Sequence, residues 1–156
     1  MSFALNALTR SLNVFHLGGS ACNNCDIEIL EMITPRYDLE RFGIVPVGSV
    51  KHADVLLLSG IFNKKSAIRA RHVYEHAPKP ILVVAIGACA CTGDIFRPSY
   101  NWDEPVGRYI PVDAYVPGCP PKPEAMISAL LKLIDILRKP SGHDKERHTR
   151  DDQDEA

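Results

Sequence analysis

Short apolar runs alternate with stretches of helical periodicity along most of the chain. Four short, mainly apolar runs read as strands: residues 12–17, 54–59, 81–86 and 112–116; the first is apolar on both faces apart from Asn13 and His16, as a central parallel strand would be. Three stretches place apolar side chains at helical spacing: residues 24–32, 64–76 and 123–138. A short extended segment at residues 44–50 contains Pro46, which suits the edge of a sheet. This alternation predicts an open, mostly parallel α/β sheet of about four strands with helices on both faces.

The same pattern divides the chain into one domain and two terminal segments. The 156 residues are enough to bury a single hydrophobic core, which we place in an α/β domain at residues 12–139. Residues 1–11 are an N-terminal arm whose short helical pattern either lies on a partner or frays. Residues 140–156 are rich in charge and, after Pro140, contain no apolar residue except Ala156. Such a segment buries too little apolar surface to offset the conformational entropy that it would lose on ordering, so we expect a disordered charged tail.

Composition narrows the class of protein. With 46% hydrophobic and 24% charged residues the chain is typical of a globular protein, and its net charge of −1 gives no reason to expect nucleic acid as a partner. No apolar run reaches the roughly 18 residues needed to cross a bilayer, so we expect no transmembrane segment. The first ten residues lack the apolar segment and cleavage site of a signal peptide. We therefore expect a reducing compartment, where clustered cysteines are more often metal-binding or catalytic than structural disulfides.

All five cysteines follow predicted strands. Two come after the first strand, two after the third and one after the fourth: Cys22, Cys25, Cys89, Cys91 and Cys119. An odd number excludes a fully paired disulfide framework within one chain. In open α/β sheets, ligands bind outside the carboxyl ends of the strands, and all five cysteines are expected to fall at this same edge of the sheet.

Three chemistries suit this set of thiols. A Cys-x-x-Cys pair between a strand and a helix can be a thiol–disulfide redox pair, although this leaves Cys89 and Cys119 without a role. Structural zinc sites usually combine two closely spaced pairs, whereas Cys119 stands alone on its loop. A [4Fe–4S] cluster needs four thiolates and a close approach of the backbone, which the neighbouring glycines allow. We favour the cluster and keep zinc and the redox pair as alternatives.

Four segments point to a known family. They are Gly-Ser-Ala-Cys-Asn-Asn-Cys-Asp-Ile-Glu at residues 19–28, Thr-Pro-Arg-Tyr-Asp-Leu-Glu-Arg-Phe-Gly at 34–43, Gly-Ala-Cys at 87–89 and Val-Pro-Gly-Cys-Pro-Pro at 116–121. In this order they closely resemble the small subunit of membrane-bound, energy-converting [NiFe] hydrogenases, which is related to the 20 kDa subunit of respiratory complex I. The resemblance covers about residues 12–137. It implies a flavodoxin-like fold with one proximal [4Fe–4S] cluster, and the matching ligand positions are Cys22, Cys25, Cys89 and Cys119.

The resemblance also implies a role inside a complex. The cluster would relay electrons between a ferredoxin-like iron–sulfur subunit and the NiFe site of a large subunit. Membrane subunits of the same complex would hold the chain, as a peripheral subunit, at the cytoplasmic face of the cell membrane. The complex I subunit has adjacent cysteines in its first segment, so the spacing of Cys22 and Cys25 favours the hydrogenase. The alternatives are a complex I-type subunit that delivers electrons to a quinone and, from another class, a free-standing thiol–disulfide oxidoreductase.

Some residues depart from the family pattern or have two interpretations. Cys91 is an additional thiol, either a bystander or a rival ligand, and we favour Cys89 because it directly follows the family's Gly-Ala pair. Asp94 stands where the family usually has a second glycine. Glu28 is either a plain carboxylate on a helix face, which we favour, or a participant in proton movement near the cluster. His16 is expected to pack in the sheet.

Overall fold

Five parallel strands form one sheet in the computed structural model, which describes residues 11–102 and 104–138. They are β1 (Leu12–Gly18), β2 (Ile44–Pro46), β3 (Val55–Ser59), β4 (Leu82–Ile86) and β5 (Ala114–Val116). Their order in the sheet is β2-β1-β3-β4-β5, and all four neighbouring pairs are parallel. This is the strand order of flavodoxin-like sheets, so the predicted α/β fold is confirmed.

Helices cover both faces of the sheet. The described residues contain α1 (Asn24–Glu31), α2 (Lys64–Glu75), α3 (Ala88–Thr92) and α4 (Pro123–Arg138). One hydrophobic cluster packs α1 and α4 against the sheet and includes Ile29, Leu57 and Met126. A second cluster packs α2 and α3 against the opposite face and includes Leu56 and Ala70. The two clusters confirm the predicted helices on both faces.

The central strand β3 explains why the core is divided in this way. Successive side chains of a strand point to opposite faces, so Leu56 and Leu58 enter one cluster while Val55 and Leu57 enter the other. All five residues of β3 are buried, as expected for a parallel strand covered on both sides. Ser59 ends this apolar run, and the chain leaves the sheet at the edge where the cysteines lie.

The structure differs from the sequence prediction in the number of strands and in the loops. The fifth strand is β2, the segment with Pro46 that was predicted only as an extended edge piece. Its proline has no N–H to donate, which an edge position tolerates. Short 3-10 turns occupy parts of the connections: Leu39–Phe42, Val50–His52, Asp94–Phe96 and Val106–Arg108. The helix α3 was not predicted, because five residues are too few to show a helical period.

The terminal predictions concern residues outside the described part of the chain. The arm, apart from Ser11, and the charged tail both lie there, so they stay predictions. Within the described ranges, no helix has the length and apolar character needed to pass through a bilayer.

The start of α2 is held by a capping box that also touches the loop before Cys22. The Asn63 side chain accepts from the backbone N–H of Ser66 at 2.9 Å, and the Ser66 hydroxyl oxygen accepts from the N–H of Asn63 at 2.8 Å. The amide group of Asn63 also donates to the Ser20 hydroxyl oxygen at 2.8 Å. One side chain therefore caps a helix and fixes a loop that leads to the cysteines.

Replacing Asn63 should separate these two roles. Asn63→Asp keeps an oxygen that caps the helix but loses the donor to Ser20, whereas Asn63→Ala loses both. We expect Asn63→Ala to cost about 1–2 kcal/mol of stability, mostly through the cap, and Asn63→Asp to cost clearly less. Thermal unfolding of the two purified variants measures the difference. Equal losses would mean that the cap contributes nothing and that the bond to Ser20 carries the whole effect.

Candidate functional site

Four of the cysteines lie together at the carboxyl edge of the sheet. Cys22 is in the loop after β1, and Cys25 is in the first turn of α1. Cys89 follows β4 in the first turn of α3, and Cys119 is in the loop after β5. All are free thiols; Cys22 and Cys119 are exposed, whereas Cys25 and Cys89 are half-buried. The structure therefore brings these residues together as predicted, while their role as ligands stays a prediction.

Backbone contacts position the loop before Cys22. The Gly19 N–H donates to the carbonyl of Ser59 at 2.8 Å, and Ser20 and Ile61 exchange two hydrogen bonds of 2.8 and 3.0 Å. A Cβ on Gly19 would collide with the carbonyl oxygen of Ile61, so the approach of these two loops requires glycine. The loop after β3, which carries no cysteine, thus forms a support for the first cysteine of the site.

Cys25 lies directly against the backbone of the loop after β4. A Cβ built on Gly87 would come within 2.7 Å of the Cys25 Sγ, which is closer than real Cβ atoms approach. Gly87 also has φ 89° and ψ 153°, a conformation that is essentially restricted to glycine. The glycine predicted to give the backbone close access to the site therefore does so at the thiol of Cys25.

Two hydrogen bonds join the loops that carry the third and fourth cysteines. The N–H of Gly87 donates to the carbonyl of Val116 at 2.9 Å, and the N–H of Ala88 donates to the carbonyl of Gly118 at 2.8 Å. These bonds continue the pairing of β4 with β5 beyond the sheet. They fix the position of the backbone that leads into Cys119.

The pKa of Cys25 is influenced by the other three thiols, which shows that the four thiols lie close together. Burial is the main reason why the pKa of Cys25 rises to about 11. Negative charge on four neighbours raises this pKa further: Cys89, Cys22, Asp26 and Cys119. The Cys25 thiol of the metal-free protein therefore keeps its proton at neutral pH, and a metal must displace that proton to bind the sulfur.

Cys89 shows the same pattern. Burial is the main reason why the pKa of Cys89 is raised, and negative charge on Cys119, Asp94 and Cys22 raises this pKa further. Each half-buried thiol is thus destabilised as a thiolate by its neighbours in the set. Four thiolates can coexist here only beside a cationic group, because like charges at short distance oppose each other's ionisation.

Cys91 is separated from this set. Its Sγ lies 3.7 Å from the Ala85 carbonyl oxygen, and it packs against the hydrophobic cluster beneath α2 and α3. Burial raises the pKa of Cys91, and Cys89 is the only other thiol that influences that pKa. Cys25 packs against the opposite cluster. Cys91 thus follows β4 at the same edge as the other cysteines, but the turn of α3 packs it against the other hydrophobic cluster, which favours its interpretation as a bystander.

The donor set suits an iron–sulfur group better than a single ion. Within residues 11–102 and 104–138, no group of three or more His, Cys, Asp or Glu side chains is arranged to hold a single metal ion. Iron–sulfur clusters are bound by cysteine thiolates attached to separate irons. Four thiols on separate loop positions, with a glycine backbone packed against one of them, fit such a group.

Sequence reasoning missed one polar network beside the thiols. Ser59 is fully buried and donates to the Asp26 carboxylate at 2.6 Å, and the His16 Nε2 lies 2.9 Å from the Ser59 hydroxyl oxygen. His16 lies in β1 within the sheet, and its Nε2 also contacts the Asp26 Oδ1 at 3.2 Å. The available signal was Ser59 itself, a polar residue ending an otherwise apolar strand.

Comparison with known families gives a match over most of this domain. The family described as "NADH ubiquinone oxidoreductase, 20 Kd subunit" matches residues 22–133. A protein of Pyrococcus furiosus named "Probable membrane-bound hydrogenase subunit mbhJ" is 48% identical over 130 residues, which are 83% of this chain and 78% of that protein. One of the NADH-quinone oxidoreductase subunits of Anaeromyxobacter dehalogenans is 40% identical over 141 residues, 90% of this chain and 80% of that protein.

Solved structures give the same picture of the fold. A chain from the membrane-bound sulfane sulfur reductase, an archaeal respiratory membrane complex, superimposes with a TM-score of 0.76 at 38% identity, covering 86% of this chain and 74% of that chain. A chain from an NAD+-reducing [NiFe]-hydrogenase superimposes with a TM-score of 0.64 at 19% identity, covering 81% of this chain and 92% of that chain. The second similarity, at this low identity, concerns the fold alone.

Proposed function

We propose that this chain, which belongs to the family of the NADH ubiquinone oxidoreductase 20 kDa subunit, is the electron-transfer subunit of a membrane-associated [NiFe] hydrogenase. As a member of that family it is a subunit of an oxidoreductase, and members of the family bind an iron–sulfur group. The finer assignment is ours: one proximal [4Fe–4S] cluster, bound by Cys22, Cys25, Cys89 and Cys119.

The observation that carries this proposal is the meeting of these four thiols at one edge of the sheet. The backbone that carries them follows the ends of β1, β4 and β5, and hydrogen bonds to neighbouring loops hold it there. When bound, a [4Fe–4S] cluster supplies one-electron transfer. Cys22, Cys25, Cys89 and Cys119 would bind the irons of such a cluster, and the exposed Cys22 and Cys119 would lie on its solvent-facing side.

The partners follow from the open side of the site and from the named relatives. We infer a NiFe-type large subunit against this edge, a ferredoxin-like iron–sulfur subunit that exchanges electrons with it, and membrane subunits of the same complex. The P. furiosus relative, 48% identical, is named as part of a membrane-bound hydrogenase, and the sulfane sulfur reductase is a membrane complex. We place the chain as a peripheral subunit on the cytoplasmic face.

A complex I-type subunit that reduces quinone is the second candidate. Its support is the family itself and the 40% identity to a subunit of an NADH-quinone oxidoreductase. The Cys-x-x-Cys spacing of Cys22 and Cys25 and the higher identity to the hydrogenase subunit favour the first candidate. A thiol–disulfide oxidoreductase receives no support, because the relatives described above are subunits of larger oxidoreductases or chains of membrane complexes.

Metal analysis of the natively purified complex tests the proposal. We expect this chain to purify with several other subunits, with iron, labile sulfide and nickel in the same fractions, and with hydrogen-dependent reduction of an electron acceptor. Iron and sulfide without nickel would exclude the hydrogenase. Quinone and sulfane sulfur, which appear in the names of two relatives, would then be the acceptors to assay. A colourless single chain without iron would contradict both candidates.

A further inference from the structure

Three side chains from three elements form a polar network beside Cys25. Asp26 follows Cys25 in the first turn of α1, His16 is in β1, and Ser59 is the last residue of β3. The Asp26 Oδ1 lies 2.6 Å from the Ser59 Oγ and 3.2 Å from the His16 Nε2. The network therefore joins the helix that carries Cys25 to two strands of the sheet.

The chemistry of the groups fixes the direction of the hydrogen bonds. A carboxylate can only accept, so the single hydroxyl proton of Ser59 goes to Asp26. The Ser59 oxygen is then left to accept from the Nε2–H of His16 at 2.9 Å. This arrangement assigns the proton of the neutral imidazole to Nε2 and makes the Asp26 oxygen the final acceptor of the network.

The surroundings of the network are apolar. His16 and Asp26 line an open cavity of about 340 Å³, and every other residue lining it is apolar or glycine, among them Ile29, Met32 and Leu39. Charges act over longer distances beside apolar walls than in water, because the effective dielectric constant is lower there. A negative charge on Asp26 is therefore screened less on this side than it would be in open water.

A simpler interpretation of Asp26 is that it stabilises the positive end of α1. Acidic residues in the first turn of a helix often do so. Such a residue needs no partner in the sheet, whereas Asp26 is half-buried and bound to a serine whose side chain is fully buried. Burying the Ser59 hydroxyl costs free energy unless it is hydrogen-bonded, so the buried serine requires its bond to Asp26.

We propose that Asp26 is a positioning residue that holds a fixed negative charge beside Cys25, and that this charge lowers the reduction potential of the group bound by the four cysteines. The inference rests on the proposed iron–sulfur function. Ser59 and His16 hold the carboxylate in place through the two contacts described above. Adding an electron to a group beside a negative charge is unfavourable, so removing the charge makes reduction easier.

A potentiometric titration of the complex with Asp26→Asn, followed by EPR of the reduced group, tests the proposal. The amide oxygen still accepts from Ser59, so position is kept while the charge is lost. We expect about a tenfold rise in the ratio of reduced to oxidised group at a fixed potential, equivalent to about 59 mV for one electron. Asp26→Glu retains the charge and should stay close to the wild type.

Asp135→Asn is the matched control, since it removes the same charge from an exposed position in the last turns of α4, far along the helix from Cys119. No potential shift in Asp26→Asn beyond that of this control would overturn the proposal. If Asp26→Asn retains too little iron, Asp26→Ser provides a second neutral variant. Loss of the EPR signal in both neutral variants would make Asp26 purely structural and would also overturn it.

The wild-type complex separates this inference from the proposed function. A wild-type complex without iron and labile sulfide defeats the proposed function itself. A wild-type complex with a normal EPR signal, combined with an unshifted Asp26→Asn variant, defeats only the role of Asp26. Ser59→Ala adds a further readout, because it keeps the charge while removing a support. We expect it to broaden the EPR signal without the upward shift of potential.

Discussion

Replacing Cys25 by serine should remove the iron–sulfur group from the complex. Cys25 is half-buried, lies against the Gly87 backbone and interacts electrostatically with the other three thiols of the set. Serine has nearly the same size, but its hydroxyl ionises far less readily than a thiol and is a poor ligand for iron. Residues that merely support a ligand already cost 10–100-fold in metal affinity, so losing a ligand should reduce the bound iron at least about tenfold.

The measurement is iron and labile sulfide per complex, together with the EPR spectrum of the reduced protein. Cys91→Ser is the matched control, because it makes the same chemical change at a half-buried cysteine in the helix that follows β4. Cys91 packs into the opposite hydrophobic cluster, so this variant should keep its iron and its EPR signal. Loss of the signal in Cys91→Ser but not in Cys25→Ser would contradict our choice of ligands.

The sequence predicted the order of the elements and the meeting of the thiols because both follow from local patterns. An apolar run such as β3 predicts a buried parallel strand. The ends of the strands then determine where Cys22, Cys89 and Cys119 lie. These predictions require only the periodicity of the chain and the rule that ligands of parallel sheets lie at the carboxyl edge.

The sequence does not predict in which direction the side chains of Cys89 and Cys91 point. Cys89 and Cys91 are two residues apart, and in a helix such neighbours point about 200° apart, since each residue turns by about 100°. Without the helix α3, which is too short to predict, nothing in the sequence shows that Cys91 faces the other side of the sheet. A local helix therefore decided which of two similar thiols joins the set.

The network of Asp26, Ser59 and His16 was missed for a different reason. Its members are separated by as many as 43 residues along the chain, and each has an ordinary explanation in its own segment. Asp26 looks like a first-turn acid and His16 like a polar interruption of a strand. Only the register that pairs His16 with Leu57 and Gly18 with Ser59 brings them together. Contacts of this kind depend on tertiary structure, which short-range patterns do not contain.

Replacing Gly87 by alanine should strain the backbone beside Cys25 and displace the thiol of that residue. With φ 89° and ψ 153°, any other residue at this position is strained by about 1–3 kcal/mol. The new Cβ would also meet the Cys25 Sγ at 2.7 Å, so the thiol or the loop must move. We expect a lower melting temperature and a reduced iron content. Gly48→Ala is the control, because a Cβ there has no atom within 4 Å.

A double-mutant cycle separates the contact with the thiol from the backbone strain. Cys25→Ala removes the sulfur that the new Cβ would strike but leaves the backbone of Gly87 unchanged. If the contact matters, Gly87→Ala should destabilise the metal-free Cys25→Ala protein less than the metal-free wild type, with a coupling of about 0.5–3 kcal/mol, as for residues in direct contact. Denaturant unfolding of the four proteins gives this value. A coupling of zero would show that backbone strain alone requires the glycine, and the close fit of Cys25 against Gly87 would then contribute nothing to the specificity of the site.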